Sequence, residues 1–361
     1  MDRPQQAAAA WRRGEVQSPV MAGLVPVVCA IDLPYVPGGH RFQTLDLYLP
    51  QTPETLGLVG RPVEHLPGLS TGPALPGCLV HVHGGAWRDL QLTARSIEPT
   101  VAHAFAALGP IVVIAAINYT ISPFPEHPAH PYDPSTAHRR DPAREAVHPR
   151  HLDDVFHALA HLRELGVGDG AFLLSGHSCG ACLAFQSMLA PASHYELAGA
   201  PVVPTAAAVL GFNGLYDLPA LVDGLDASHA HLRDEYHGLL SIAFGPDRQR
   251  WESASPALID PAMIAARVRQ AKAPPLILLD QSAQDQLVPM NQRDRFAARL
   301  AQVEGLRTVI GHRCSGDHAD AWQRGDMIWR GVEDALARLA EGAMMPRDAF
   351  INDRFERRGT C

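Results

Sequence analysis

The feature that most constrains the fold of this chain is its alternation of short apolar runs with longer amphipathic or alanine-rich segments. Such alternation predicts a largely parallel sheet with helices on both faces, because consecutive parallel strands need a helical crossover between them. Eight strands are expected, at 25–31, 44–49, 78–83, 111–118, 171–175, 207–212, 275–280 and 306–311. Helices are expected at about 93–108, 151–165, 179–190, 291–303 and from 319 onward.

Length and patterning predict one domain over residues 1–361, with two excursions from the alternating pattern. Proline and histidine dominate the segment 122–150, and the restriction that each proline places on the residue before it blocks a continuous helix there. We expect this segment to be a loop insertion at the edge of the sheet where the strands end. The segment 218–253 is expected to form a small helical cap.

Charge and composition exclude several classes of partner. The chain has a formal net charge of −8 and no block of Lys and Arg, so nucleic acid is not an expected partner. No run of about 18 apolar residues is present, which argues against a membrane span. The apolar run at 7–11 is shorter than the core of a secretion signal, so we expect a cytoplasmic protein with reduced, scattered cysteines.

The segment Gly176-His177-Ser178-Cys179-Gly180 lies between a predicted strand and a predicted helix. In that context the pattern predicts a sharp strand-to-helix turn that exposes a serine hydroxyl at its tip. Glycines are needed on either side because the helix folds back closely on the sheet. The bare five-residue pattern is common by chance, but this context indicates that Ser178 is the nucleophile of an α/β-hydrolase fold.

A second motif follows the predicted strand 78–83, with the sequence His83-Gly84-Gly85-Ala86-Trp87. Paired glycines allow backbone N–H groups to approach a developing oxyanion without interference from side chains. We therefore expect an oxyanion hole made by the amides of Gly85, Ala86 and Cys179. The alternative is a Gly-Gly turn that only closes the strand.

The remaining triad members are expected on later strand ends, in the order acid and then histidine. Asp285 follows the strand 275–280, and His318 follows the strand 306–311. His318 would accept the proton from Ser178, and Asp285 would hold its tautomer. Asp217 remains the serious alternative for the acid. Less suitable candidates are Asp280, Asp317 and, for the base, His312.

Other histidines and cysteines do not point to a metal or a cofactor. The Pro-rich segment contains His127, His130, His138 and His148, but their spacing matches no zinc template. Cys179 and Cys182 have the spacing of a redox pair, yet Cys179 already belongs to the nucleophile motif. We expect Cys182 in the core, and neither a metal nor a cofactor in the site.

Together these motifs resemble the kynurenine formamidases, particularly those of fungi. The resemblance is carried by the motifs at 83–89 and 176–181, and by 118–123 (NYTISP), 148–155 (HPRHLDDV) and 318–322 (HADAW). Its most specific element is Trp87, because many esterases of this fold have a third glycine and no tryptophan there. The match extends from about residue 44 to the C-terminal helix, while the long insertion at 122–147 departs from the family.

This resemblance implies an arylformamidase that hydrolyses N-formyl-L-kynurenine to L-kynurenine and formate, and it suggests a homodimer. Trp87 or Tyr119 would stack on the aryl ring of the substrate, although both are equally suited to the core. Arg88 would meet the substrate carboxylate unless it is structural. The competing functions are a carboxylesterase of the same fold and a non-catalytic ligand receptor on this scaffold.

Overall fold

The computed structural model describes residues 9–69, 75–271 and 275–344, which contain one mixed sheet covered by helices. Within these residues the sheet has nine strands in the order β1-β2-β3-β5-β4-β6-β7-β8-β9. The strands β1 to β3 and the β3–β5 contact are antiparallel, and every other pair is parallel. Their bounds are β1 Arg12–Val16, β2 Val25–Pro34, β3 Thr44–Pro50, β4 Cys78–Val82, β5 Val113–Ile117, β6 Phe172–His177, β7 Ala208–Phe212, β8 Leu276–Asp280 and β9 Arg307–Ile310.

The strand count of eight was wrong because sequence patterning missed β1. This strand pairs with β2 alone, from Arg12 opposite Cys29 to Val16 opposite Val25. An edge strand has a partner on one side only and tolerates charged residues, so its sequence RRGEV has no apolar run to reveal it. The eight predicted strands all occur, with ends shifted by a few residues at most.

Helices cover both faces of the sheet. On one face α2 and α11 pack together, and on the other α3, α4, α8 and α9 contribute to the larger apolar core. Pattern analysis did not predict α8, which lies just before β8. The α-helices have the bounds α1 Pro53–Leu56, α2 Glu98–Ala106, α3 Arg150–Glu164, α4 Cys179–Leu189, α5 Ala220–Asp223, α6 Arg233–Phe244, α7 Arg248–Ala254, α8 Pro261–Gln270, α9 Asn291–Leu300, α10 Asp320–Arg324 and α11 Asp326–Met344.

The two predicted excursions differ in structure. The segment before α3 is irregular, with an isolated bridge between Phe124 and Tyr132 and a short 3-10 turn at Pro142–Arg144. The second excursion contains α5, α6 and most of α7, and we call its residues 218–253 the cap segment. Among the described residues, no helix combines the length and apolar character that crossing a bilayer would require.

The parallel strands end at a common edge of the sheet, which brings four loops together. Val82 of β4 lies opposite Gly176 of β6, and Phe212 of β7 lies opposite both His177 and Asp280. Open parallel sheets place their functional groups in the crevice beyond the carboxyl ends of the strands. The loops after β4, β6, β8 and β9, which contain the predicted triad and oxyanion residues, all begin at this edge, and Tyr119 follows β5.

Candidate active site

Ser178 lies in a sharp turn between β6 and α4. Its backbone has φ 55° and ψ −125°, a strained conformation for a residue with a side chain. A Cβ at Gly176 would overlap the backbone of Gly180, and a Cβ at Gly180 would overlap the carbonyl oxygen of Val82. The amide of Ser178 donates a hydrogen bond of 3.0 Å to the Phe212 carbonyl, which anchors the turn to the neighbouring strand. The two glycines therefore permit the close strand–helix approach that the motif predicts.

The predicted acid and base contact each other. His318 Nδ1 lies 2.8 Å from Asp285 Oδ2, and both side chains are nearly buried. The other carboxylate oxygen, Oδ1, accepts hydrogen bonds of 2.9 Å from the amides of Leu287 and Val288. Three donors thus surround the Asp285 carboxylate and compensate for its removal from water. No described hydrogen bond joins Ser178 Oγ to His318; such contacts commonly tighten only when substrate is bound.

The backbone of His318 is also held at both of its polar groups. Its N–H donates to Gln286 Oε1 at 2.8 Å, and its carbonyl accepts from His177 Nε2 at 2.9 Å and from Asn213 Nδ2 at 3.2 Å. Burial lowers the pKa of His177 well below its usual value, and the nearby His318 lowers it further. His177 is therefore a neutral imidazole that donates through Nε2.

The alternative acids have other partners. Asp217 accepts from the Ala220 amide at 3.1 Å and pairs with Arg295 at 3.3 Å. Asp280 accepts from two backbone amides in the loop after β9, those of Arg313 and Cys314. Among the described residues, neither carboxylate has a hydrogen bond to His318. The other weak candidates, Asp317 and His312, are exposed at the surface.

The loop after β4 has an unusual backbone. Gly85, Ala86 and Trp87 have φ values of 101°, 49° and 56°, so three successive residues are in the left-handed region. The Gly85 carbonyl accepts from the amides of Arg88 and Asp89 at 2.9 and 2.8 Å, which closes the turn. A Cβ at Gly84 would lie 3.1 Å from the Cβ of Ser178, so this loop is directly against the nucleophile.

The side chains around this loop hold it in place. Tyr119 Oη donates toward the carbonyls of His83 and Gly84, at 3.1 and 3.2 Å, and its ring stacks on His83 with centroids 4.5 Å apart. Burial lowers the pKa of His83 to about 4, so its imidazole is neutral at physiological pH. Cys179 Sγ accepts from the Trp87 amide at 3.3 Å. The Cys179 thiol is protonated because burial raises its pKa to about 11.

The three predicted substrate-binding side chains are all in the interior. Trp87 and Tyr119 are fully buried, and Trp87 packs edge-on against Phe244 of α6. An aryl substrate reaches neither ring in this structure, so both are core aromatics here. Arg88 is 7 % exposed, forms an ion pair with Glu235 of α6, and lies 3.9 Å above the Phe124 ring.

The remaining histidines and cysteines that the structure describes have other surroundings. His127 lies 3.4 Å from Asp89 and beside His130, but within the described ranges no group of three His, Cys, Asp or Glu could hold a metal ion. Cys182 is buried on α4, as expected. The described cysteines are all free thiols, namely Cys29, Cys78, Cys179, Cys182 and Cys314, and Cys361 lies outside the described residues.

Several residues at the site were not predicted from the sequence. Asn213, Gln286 and His177 hold the His318 backbone, and His229 of the cap segment contacts the Asp285 carbonyl. The position of Asn213 directly after the predicted strand 207–212 was a usable signal, since a polar residue at a parallel strand end faces this crevice. His229 lies 56 positions from Asp285 in a segment without a motif, so no local pattern connects the two.

Comparison with known proteins identifies relatives over more than two thirds of the chain, although no family model matches it. It is 29 % identical over 318 residues to the kynurenine formamidase-like hydrolase fscH of Fusarium equiseti, covering 86 % of this chain and 95 % of that protein. It is 30 % identical over 266 residues to the kynurenine formamidase avaC of Aspergillus versicolor, covering 69 % and 85 % of the two chains.

A solved structure supports the fold. Esterase B from Lactobacillus rhamnosis superimposes with a TM-score of 0.54 at 16 % identity, over 88 % of each chain. At this identity the likeness concerns the fold alone, and with the helix-covered parallel sheet it confirms the predicted α/β-hydrolase fold. The fungal relatives, with avaC at 30 % identity over 85 % of its length, show that this chain belongs to the kynurenine formamidase family.

Proposed function

We propose that this protein hydrolyses N-formyl-L-kynurenine to L-kynurenine and formate, with Ser178, His318 and Asp285 as its catalytic triad. The observation that carries the proposal is the 2.8 Å contact between His318 and Asp285 in a member of this family. The contact lies at the same sheet edge as the strained Ser178 turn. Of the two fungal relatives described above, avaC is named a kynurenine formamidase and fscH a kynurenine formamidase-like hydrolase.

The contact with Asp285 assigns the tautomer of His318. A carboxylate oxygen only accepts, so Nδ1 carries the proton and Nε2 is left with a free lone pair. Nε2 then takes the proton of Ser178 Oγ as the oxygen attacks the formyl carbonyl. The Asp285 carboxylate stabilises the imidazolium that results.

The loop after β4 supplies the oxyanion hole in this proposal. Its donors are the amides of Gly85, Ala86 and Cys179, and the buried Tyr119 hydroxyl holds the preceding carbonyls. Amides fixed before the reaction need no reorganisation when charge develops on the carbonyl oxygen. One such donor typically contributes about 10²–10³ in rate.

Two steps complete the reaction. The imidazolium of His318 transfers its Nε2 proton to the aryl nitrogen, the C–N bond breaks, and L-kynurenine leaves a formyl ester on Ser178. Water then gives a proton to Nε2, its oxygen attacks the ester, and collapse of the intermediate releases formate while Ser178 Oγ regains a proton. The formyl group is small, so recognition must come from the aryl and amino-acid ends of the substrate.

For the substrate carboxylate we propose Arg88, which directly follows the oxyanion loop. Its present partner Glu235 has a side chain that is 60 % exposed, so the carboxylate would replace Glu235 at the guanidinium. Arg88→Gln is then expected to raise KM for N-formyl-L-kynurenine and leave KM for p-nitrophenyl acetate unchanged. Equal changes in both KM values would assign Arg88 a structural role. Trp87 and Tyr119 support the loop in this scheme and do not stack on the substrate.

The decisive experiment compares kcat/KM for N-formyl-L-kynurenine with kcat/KM for p-nitrophenyl acetate, using Ser178→Ala as the background control. The formamide is expected to be the better substrate. A value no higher than that for the ester would instead favour a carboxylesterase. Labelling with a fluorophosphonate tests the receptor alternative, because a receptor would give no adduct on Ser178.

We also propose that the protein is a homodimer, on the family resemblance alone. Sedimentation velocity of the purified full-length chain measures this directly. A single species at the monomer mass across the accessible concentration range would overturn it.

A further inference from the structure

The cap segment contacts the backbone of the proposed catalytic acid through His229. His229 Nε2 lies 3.0 Å from the Asp285 carbonyl oxygen, and His229 is 7 % exposed although its neighbours 226–228 and 230–231 are exposed. A carbonyl oxygen only accepts, so Nε2 carries the proton and donates. The opposite ring nitrogen, Nδ1, lies 2.8 Å from Asp226 Oδ1 and 2.9 Å from Ser228 Oγ. The carboxylate oxygen of Asp226 also only accepts, so Nδ1 donates as well, and bonds at both nitrogens fix the orientation of the ring.

A second bond from the cap segment reaches the same loop. Tyr236 Oη, near the start of α6, donates to the Leu287 carbonyl. The amide of Leu287 in turn donates to Asp285 Oδ1, and so does that of Val288. The cap segment therefore binds two carbonyls of the short loop whose amides hold the carboxylate. Asp285 Oδ2 is left to contact His318 Nδ1.

We infer that His229 is a positioning residue for the catalytic acid, because it fixes the Asp285 backbone so that the carboxylate stays aligned with His318. The inference rests on the triad assigned under Proposed function. Misplacement of a catalytic group by about 1 Å can cost on the order of 10²-fold in rate, so one bond to this loop has a measurable effect. The cap segment thus has a role in the chemistry besides covering the site.

Two conservative substitutions separate the contacts of the two ring nitrogens. The amide nitrogen of Gln replaces Nε2 in position, whereas that of Asn replaces Nδ1 and does not reach the Asp285 carbonyl. His229→Asn is expected to lower kcat for p-nitrophenyl acetate and for N-formyl-L-kynurenine by about 10- to 100-fold with little change in KM. His229→Gln should restore most of kcat. His231→Leu, at an exposed position two residues further on, is the matched control, and its kcat and KM should equal those of the unsubstituted protein.

A proton resonance gives a readout that a merely structural role would not change. The Nδ1 proton of His318, shared with Asp285, is observable by NMR far downfield of the amide protons, and it should shift or broaden in His229→Asn but not in His229→Gln. A His229→Asn variant with kcat within about twofold of the unsubstituted protein would overturn the inference. Loss of kcat with that resonance unchanged, or equal loss in both variants, would also overturn it.

Asp285→Asn is measured in parallel to distinguish the two possible failures. If it stays active, the proposed triad is wrong; if it is inactive and His229→Asn is fully active, only the role of His229 is wrong. Should His229→Asn fail to fold, Tyr236→Phe removes a single hydroxyl from the same loop. Tyr236→Phe is expected to lower kcat several-fold and to shift the His318 Nδ1 proton resonance less than His229→Asn would. An unchanged kcat would overturn the inference.

Discussion

The antiparallel and parallel ends of the sheet each bury an aspartate, but they surround it differently. Asp46 on β3 accepts one backbone hydrogen bond, of 2.8 Å from the Asp32 amide, and its nearest cation is Arg95 at 3.9 Å. Asp285, in the loop after β8, has two backbone donors and the His318 imidazole. Amides inside a strand ladder are used by the neighbouring strand, whereas a loop beyond a parallel strand has amides free for a carboxylate. A buried carboxylate can therefore stay charged, as catalysis requires, where loop amides donate hydrogen bonds to it.

The largest expected effect comes from removing the charge of Asp285. Asp285→Asn should lower kcat for N-formyl-L-kynurenine by about 10⁴-fold, because the amide no longer holds the required tautomer of His318. Asp217→Asn should leave kcat nearly intact, since Asp217 pairs with Arg295 in this structure. Both variants are assayed by steady-state kinetics beside the unsubstituted protein. The reverse pattern would transfer the role of the acid to Asp217.

The sequence predicted the parallel end of the molecule better than the antiparallel end. The motifs at Ser178 and at Gly84-Gly85 are local, because each needs particular residues within one turn, and the buried parallel strands are continuous apolar runs. The edge strand β1 has no such run. The burial of Trp87 and Tyr119 depends on packing against α6 and on the His83 ring, which are distant contacts that no short pattern encodes.

The contacts between the cap segment and the site likewise join residues that are distant in sequence, so no short pattern predicts them. Ser178, Asp285 and His318 could be proposed from strand-end positions, because the order of these residues along the chain is a property of the fold. His229 could not be assigned a role, because its function depends on which backbone carbonyl it reaches in space. Local sequence thus proposes the triad residues, whereas the residues that hold their backbone in position can be found only from the structure.

Two glycines test whether the close backbone approach is special to the parallel end. Gly180→Ala should lower the free energy of unfolding by about 3 kcal/mol or more, because its Cβ would overlap backbone of β4, which cannot move aside. Gly14→Ala on β1 should change it by less than about 1 kcal/mol, since its Cβ would meet only the side chains of Cys29, at 3.0 Å, and Val27. Urea unfolding of both variants measures the difference. Equal losses would mean that the two ends are packed equally tightly.

Asp46 should make stability depend on pH. Burial raises its pKa from 3.8 to about 6, so between these values the folded protein binds more protons than the unfolded chain. The stability gained from binding this proton in the folded state is fully present below about pH 4 and is lost as the pH rises through 6. Asp46→Asn should therefore raise the free energy of unfolding at pH 7 by about 1–3 kcal/mol, with the gain disappearing near pH 4. Urea unfolding across this range measures it, and a gain independent of pH would contradict the assignment.

The smallest effect is expected at the partner of Asp217. Arg295 has a side chain that is 53 % exposed, and its contact with Asp217 is 3.3 Å long, so solvent screens much of the attraction. Arg295→Gln should lower the free energy of unfolding by less than about 1 kcal/mol, and the difference should shrink further in 1 M salt, where the Debye length is about 3 Å. kcat should not change, because this pair is separate from the bonds that hold His318. A tenfold loss of kcat in Arg295→Gln would show that the Asp217–Arg295 pair also takes part in aligning His318, which would contradict the assignment of the acid to Asp285.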